Sequence, residues 1–440
     1  MQENFNKLNL VLKKYEEFYK DADGVEKRKT TIETPPPGFD MPRKREDKEI
    51  SEMEWLSKIL DSCKEHGYIF PSRLLYAFHT ALKIADWSCI TVLAGVSGTG
   101  KSKLPELYSH FGGINFFNLP VQPNWDSKES MLGFFNSIER KFDAQEVLQF
   151  LAQTQRKEED NFGLKDTLSI ILLDEMNLAN VELYFAEFLS KLEERSGKED
   201  GEEPTINIKL GSDQSDYYPL KLGRNVLWVG TMNQDETTKS LSDKVLDRGI
   251  VISFPHPPSL KHDEKKALPD RTPLLPFEIW KDWKRSNTNT SFVPDWIEQC
   301  RGFVEEVSKN MHQVGLGIGY RMWQSIEQYM INHPRVLSAY AKIEQAAENN
   351  DEQSKNSAIK EQKSALKDAF EDQLAQKVMP KLRGIETSGE QEKKCLRPIR
   401  DLLINDKDNN YPELVKDFDN AMKFGNGQFV WNSSNYLNKY

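Results

Sequence analysis

Two short runs in this 440-residue sequence carry residue types suited to phosphate chemistry. The first is Gly95-Val96-Ser97-Gly98-Thr99-Gly100-Lys101-Ser102. Its glycines let the backbone turn N–H groups inward around an anion. Lys101 offers a point charge for the β- and γ-phosphates of a nucleotide, and Ser102 a hydroxyl for Mg²⁺. The second run, Ser169-Ile170-Ile171-Leu172-Leu173-Asp174-Glu175, is apolar and ends in two acids. Asp174 suits Mg²⁺ held through its water shell, since that ion keeps several waters. Glu175 suits a general base that polarises an attacking water. Taken alone, such acids also suit a helix N-terminus. Downstream of the glycine run, they read as the second half of a site for ATP or GTP with Mg²⁺.

The elements that must position these residues are legible from periodicity. Ile90–Ala94 is a short apolar run leading into the glycine loop, and the helix-like Lys103–His110 follows it. Strand, loop and helix in that order are the context the motif needs, and the helix adds its N-terminal dipole. Ile114–Leu119, Leu168–Leu173, Val226–Val229 and Ile250–Phe254 are further mainly apolar runs, with helical stretches between them. The fold class this predicts is α/β: a parallel sheet buried on both faces by helices. After the acids, Val181, Phe185, Phe188, Leu189 and Leu192 share one helix face and read as core. Thr205–Leu210 and Tyr217–Leu222 flank Gly211-Ser212-Asp213-Gln214 and predict a hairpin.

Outside this core, Leu8, Leu10, Val11, Tyr15 and Phe18 form an apolar stripe that ends at Pro35-Pro36-Pro37-Gly38. The basic Arg43-Lys44-Arg45 reads as solvated linker. Ser72 suits the cap of a helix through Leu75, Phe78 and Ala81. Residues 260–292 are Pro-rich and polar. Residues 293–440 read mainly as helices, strongly charged near 345–376. The expected organisation is an N-terminal extension over 1–68, an α/β nucleotide-binding core over 69–258, a helical lid over 259–340 and a charged helical region over 341–440.

Composition narrows the class. Hydrophobic residues make up 38% and charged residues 29%, with a net charge of −10. That balance gives no support for a surface that grips nucleic acid broadly. No apolar run reaches the ~18 residues of a membrane span, and Met1-Gln2-Glu3-Asn4 is unlike a signal peptide. Cys63, Cys89, Cys300 and Cys395 are scattered without a CxxC pair, which argues against zinc and for reduced thiols. A soluble, cytoplasmic protein without membrane contact is expected.

Three polar residues at element ends are open to two readings each. Asn233 ends the Thr231-Met232-Asn233 strand tip, where it suits either a turn or a holder of the attacking water beside Glu175. Arg248 stands just before the Ile250 strand. It suits either ordinary helix-end roles or a reach to a neighbour's γ-phosphate. Arg321, in Gly317-Ile318-Gly319-Tyr320-Arg321, reads first as a surface arginine. The functional alternative is a group that folds back onto the nucleotide as a lid closes.

Leu173-Asp174-Glu175-Met176-Asn177-Leu178-Ala179-Asn180, Gly230-Thr231-Met232-Asn233 and Asp243 to Arg248 together resemble the AAA+ motor of McrB-type restriction systems. Val121-Gln122-Pro123-Asn124-Trp125 and Leu132-Gly133-Phe134-Phe135-Asn136 are similar to the same group. The resemblance spans about residues 70–335. It implies Asn233 as first sensor, Arg248 as trans-acting finger, Arg321 as second sensor, and Asn177 close to the site. It also implies a homo-oligomeric ring, expected as a hexamer, and a McrC-like partner carrying a nuclease. DNA would be met through that partner or the ring pore, in restriction or anti-phage defence. The chain departs from the GTP-preferring McrB motor at Gln234-Asp235-Glu236, and has Leu178 and Asp247 where that motor has arginines. ATP, the commoner nucleotide of the superfamily, is therefore expected over GTP. The alternatives are a MoxR-like remodelling ATPase and a nucleotide-gated scaffold without turnover.

Overall fold

Each of the five apolar runs forms a strand, and the five make one parallel sheet. The computed structural model describes residues 50–138, 141–157, 163–198, 201–211, 217–233, 241–255, 265–285, 294–405 and 411–439. The expected N-terminal stripe, the Pro35–Gly38 break and Arg43-Lys44-Arg45 lie outside the described residues, as do Ser212, Asp213, Gln214 and the Gln234-Asp235-Glu236 run. The strands are β1 (Ile90–Gly95), β2 (Asn115–Pro120), β3 (Gly133–Asn136), β4 (Lys141–Ala144), β5 (Ser169–Asp174), β6 (Thr205–Lys209), β7 (Tyr217–Lys221), β8 (Val226–Asn233) and β9 (Gly249–Ser253). The main sheet has the order β2-β5-β8-β1-β9. The expected β6–β7 hairpin is present, and β3–β4 is a second hairpin that the periodicity did not reveal.

The side chains of each sheet strand divide between two cores. Leu93, Ile170, Leu172, Leu227, Val229, Ile250 and Ile252 face one core. Val92, Ala94, Ile171, Leu173, Val226 and Trp228 face the other. Burial on both faces removes polar alternation from the inner strands β5 and β8, whereas the edge strand β2 keeps Asn115 and Asn118 and is partly exposed. The first face is covered by the helices Glu52–Glu65, Ser72–Lys83 and Lys103–Gly112 and by C-terminal helices. The second is covered by Glu146–Gln153, Ala186–Glu193 and the β6–β7 hairpin. From β1 the chain crosses to the β2 edge, whereas β8 connects over β1 to β9. The carboxyl end of β1 therefore stands where the strand order reverses, the place where open α/β sheets bind ligands.

Two local expectations need correction. Ser72 is the first residue of its helix, not its cap. Pro71 holds the cap position with no side-chain bond, because its ring already fixes an extended entry. The second is the polar description of residues 260–292, since Phe277–Asp282 is helical and Trp280 is fully buried. No helix among the described residues is long and apolar enough to cross a membrane. All four cysteines are buried and free.

The charged C-terminal stretch joins the first core. The helix Glu352–Gln373 hides Ala358, Ala365, Leu366, Ala369 and Phe370 on one face. Arg73 fastens it to the helix Ser72–Lys83. The buried Arg73 guanidinium donates to Asp372 Oδ1 and Glu371 Oε2, each at 2.9 Å. It also donates to the carbonyls of Tyr436 at 2.8 Å and Asp368 at 2.9 Å. Tyr329 Oη donates to the other Asp372 oxygen at 3.0 Å. Replacing Arg73 with Met strands two buried carboxylates, so urea unfolding should report a loss of about 3–5 kcal/mol. An unchanged midpoint would show that the cluster contributes packing alone.

Candidate functional site

The glycine loop leaves the end of β1 and closes onto the helix Lys103–Gly112. Gly98 and Gly100 have φ of 80° and 99°, a region open to glycine and strained for other residues. Val96, Ser97 and Gly98 form the exposed tip, and Thr99 and Gly100 are half-buried. Lys101 is buried, and its Nζ donates to the Val96 carbonyl at 2.6 Å. Thr99 Oγ1 donates to the same carbonyl at 3.0 Å. The lysine is thus drawn back across its own loop.

Beside the loop, the ends of β5 and β8 present the acids. In register, Gly95 lies opposite Asn233, and Leu173 lies opposite Gly230. Ser102 Oγ donates to Asp174 Oδ1 at 2.7 Å. Thr231 Oγ1 donates to the same oxygen at 2.6 Å and accepts from the Glu175 N–H at 2.8 Å. One buried hydroxyl therefore fixes both acids. In sequence Thr231 is distinguished only as a hydroxyl residue near the tip of a mainly apolar strand.

Glu175 has φ 54° and ψ 46°, a left-handed backbone rare outside glycine. Such a conformation costs about 1–3 kcal/mol and persists only where the surroundings enforce it. The enforcement is visible. Tyr184 Oη donates to the Met176 carbonyl at 2.9 Å. The Met176 side chain lies against Gly230, where an added Cβ would come within 2.1 Å of the sulfur. The turn exposes Glu175, and Asn233 Nδ2 donates to its Oε1 at 3.1 Å. The buried Asn177 donates through Nδ2 to the Asn233 carbonyl at 3.0 Å. Ser102, Asp174, Glu175, Asn177, Thr231 and Asn233 form one connected polar group at the carboxyl edge of the sheet.

Asp174 and Ser102 offer a carboxylate and a hydroxyl side by side. Mg²⁺ takes one or two protein oxygens and completes its shell with phosphate and water, so this pair fits that ion. Among the described residues, no three or more His, Cys, Asp or Glu side chains group as a metal site.

Arg248 and Arg321 stand elsewhere. Gly249, next to Arg248, lies opposite Ile90 at the start of β1. The length of β1, roughly 16 Å at ~3.3 Å per residue, separates that amino edge from the glycine loop. Arg248 Nε pairs with Glu193 Oε2 at 3.0 Å, and Arg321 Nη1 pairs with the other oxygen of Glu193. Arg321 lies in the first turn of the helix Tyr320–Asn332, and its side chain is 62% exposed. From the same helix, Ser325 Oγ meets Ser88 Oγ at 2.6 Å. In this structure Arg321 stands at the opposite edge of the sheet from its own glycine loop, paired with Glu193. Two arginines share one carboxylate there. Cys89 Sγ contacts the Arg248 carbonyl at 3.5 Å. Burial pushes that thiol up to about 11, above the ordinary cysteine range.

A family model described as a domain of unknown function (DUF8727) matches residues 276–425, in the helical C-terminal part. No curated protein matches the chain. A solved structure from Cytophaga hutchinsonii, described as that of a candidate ATPase, is similar with 13% identity and a TM-score of 0.35. The match covers 64% of this chain and 82% of that one. A likeness of that size is too slight to transfer a fold or an activity.

Thr231→Val deletes the hydroxyl that holds both acids. Titrating Mg²⁺ against a fluorescent nucleotide should show cation affinity about 10–100-fold weaker. An unaltered cation dependence would remove Thr231 from the site.

Proposed function

We propose that the chain is a Mg²⁺-dependent nucleoside triphosphatase of the AAA+ type, with each catalytic site completed by a neighbouring subunit in a ring. One observation carries the reading: a glycine loop with its lysine ends β1 beside an acid pair that a single hydroxyl, Thr231, holds on both members. Backbone amides of residues 95–101 and the Lys101 ammonium bind the triphosphate. Ser102 and Asp174 would hold Mg²⁺, which when bound neutralises charge between the β- and γ-phosphates. Glu175 accepts the proton of the attacking water, and Asn233 holds the Glu175 carboxylate in place. The strained backbone of Glu175 supports turnover over the scaffold reading, since a scaffold has no use for a costly exposed acid.

The arginines extend the reading to assembly. Arg248 and Arg321 lie a strand's length from their own glycine loop, so they serve an adjacent subunit's γ-phosphate. This reassigns Arg321 from its own nucleotide to the neighbour's. ATP is the proposed nucleotide, with GTP as the alternative. Through the resemblance to McrB-type motors, the proposed ring is a hexamer that drives a McrC-like nuclease subunit on DNA in restriction or anti-phage defence. A MoxR-like remodelling ATPase would share the core and differ in its partner.

Turnover and nucleotide affinity, measured separately, test the proposal. Lys101→Ala should lose affinity. Glu175→Gln should keep affinity and lose about 10²–10⁴-fold in turnover. Arg248→Ala should keep affinity and lose about 10³–10⁵-fold. Mixing the last two should restore part of the rate, because an intact acid then meets an intact arginine. Folded protein without Mg²⁺-dependent affinity for any nucleotide would end the reading.

A further inference from the structure

Glu193 holds the head of Arg248. The backbone around Arg248 is held as well, by the C-terminal helical region. The helix Glu352–Gln373 runs into a π-helical turn, Leu374–Val378, and then a 3₁₀ turn, Met379–Leu382. Such wide turns inside helices recur at functional sites. This one carries Lys377, which is 2% exposed, to the amino edge of the sheet. Lys377 Nζ donates to Ser88 Oγ at 2.8 Å, to the Gly249 carbonyl at 3.0 Å and to the Asp247 carbonyl at 3.3 Å. Those two carbonyls flank Arg248. In the next turn, Lys381 Nζ donates to Asp247 Oδ1 at 2.7 Å.

Helix ends need donors for their last carbonyls, and a cation there is favoured by the dipole. Capping alone does not account for Lys377. The helix Asp243–Arg248 is short, and water or an exposed lysine would serve its end. A fully buried ammonium is costly to desolvate and is retained where it fixes a geometry. The geometry fixed here is the backbone on both sides of Arg248.

We propose that Lys377 and Lys381 are positioning residues for Arg248, so that the C-terminal helical region sets the rate of hydrolysis in the adjacent subunit. The inference rests on Arg248 acting in trans. Misplacing a charged group by about 1 Å can cost roughly 10²-fold in rate, without changing how tightly the subunit holds its own nucleotide.

The test compares Lys377→Met, Lys381→Met and Arg248→Ala in the full chain, with folding checked by circular dichroism and thermal melting. Lys377→Met should lower turnover by about 10²-fold and leave nucleotide affinity unchanged. Mixed with Glu175→Gln subunits, it should regain activity, because its intact acids then face a well-placed arginine. A merely structural defect would weaken affinity and assembly, and mixing would not rescue it. Full turnover in folded Lys377→Met, or no rescue in verified mixed rings, overturns the proposal. Should Lys377→Met fail to fold, Lys381→Met carries the test through the more exposed Asp247 pair. It should lose turnover several-fold with the same rescue, and unchanged turnover overturns the proposal. If Arg248→Ala itself retains turnover, the trans-acting arginine falls and this inference with it. If Arg248→Ala loses turnover and is rescued while both lysine variants behave as wild type, this inference alone fails.

Discussion

Asp174 Oδ1 accepts two hydroxyls at once, one from Ser102 after β1 and one from Thr231 in β8. That double acceptance is the constraint around which the rest of the site is arranged. It requires the ends of β1, β5 and β8 to lie side by side and to point the same way. Parallel pairing supplies this, since every strand then delivers its last residue to the same edge. Parallel sheets in turn need helices on both faces and strands without polar alternation, which Ile170 to Leu173 and Val226 to Val229 provide. The apolar content of the strand interiors and the polar content of their tips are thus two parts of one requirement.

Holding the acids has a local cost that neighbouring groups absorb. Glu175 adopts a left-handed backbone so that its carboxylate leaves the sheet and meets Asn233. Thr231 ties the amide of that turn, Tyr184 ties the next carbonyl, and the side chain of Met176 fills the space that Gly230 leaves open. Removing any one of these gives the turn room to relax toward an ordinary conformation. Asn177, buried and bonded to the Asn233 carbonyl, steadies the partner side. The strain at one exposed residue is therefore sustained by four that are buried.

The sheet and the acid pair were legible in the sequence because their signals are local. A continuous apolar run, a glycine loop and adjacent acids each fit within eight residues. The β3–β4 hairpin was not legible, since Phe134 and Phe135 are too few to establish a period. Thr231 escaped notice as an anchor because its role depends on a strand more than fifty residues away. The strongly charged stretch near 345–376 gives no local sign of how deeply it packs, yet small residues at helical spacing, such as Ala358, Ala365 and Ala369, give it a buried face. Lys377 illustrates the limit. Among many lysines in a charged region, only tertiary placement distinguishes a buried one. The location of Arg321 was beyond reach for the same reason: helix periodicity says which face is apolar, not which edge of a sheet the helix meets.

The two edges of the sheet carry opposite charge requirements. At the carboxyl edge, Asp174 and Glu175 gather beside the glycine loop. At the amino edge, Arg248 and Arg321 converge on Glu193, and Lys377 and Lys381 crowd the same backbone. Cations of that number in one place repel one another, and the carboxylates of Glu193 and Asp247, with the carbonyls of Asp247 and Gly249, offset that repulsion within the subunit. A triphosphate presented by a neighbour, as proposed, would offer the same edge a stronger anion than one carboxylate. On the proposed reading, assembly then exchanges Glu193 for phosphate as the partner of the arginines. On that reading the lysines would keep the backbone in place while the side chains move. A rigid backbone with transferable side chains is what lets an arginine leave an internal partner for an external one without unravelling the strand that follows it.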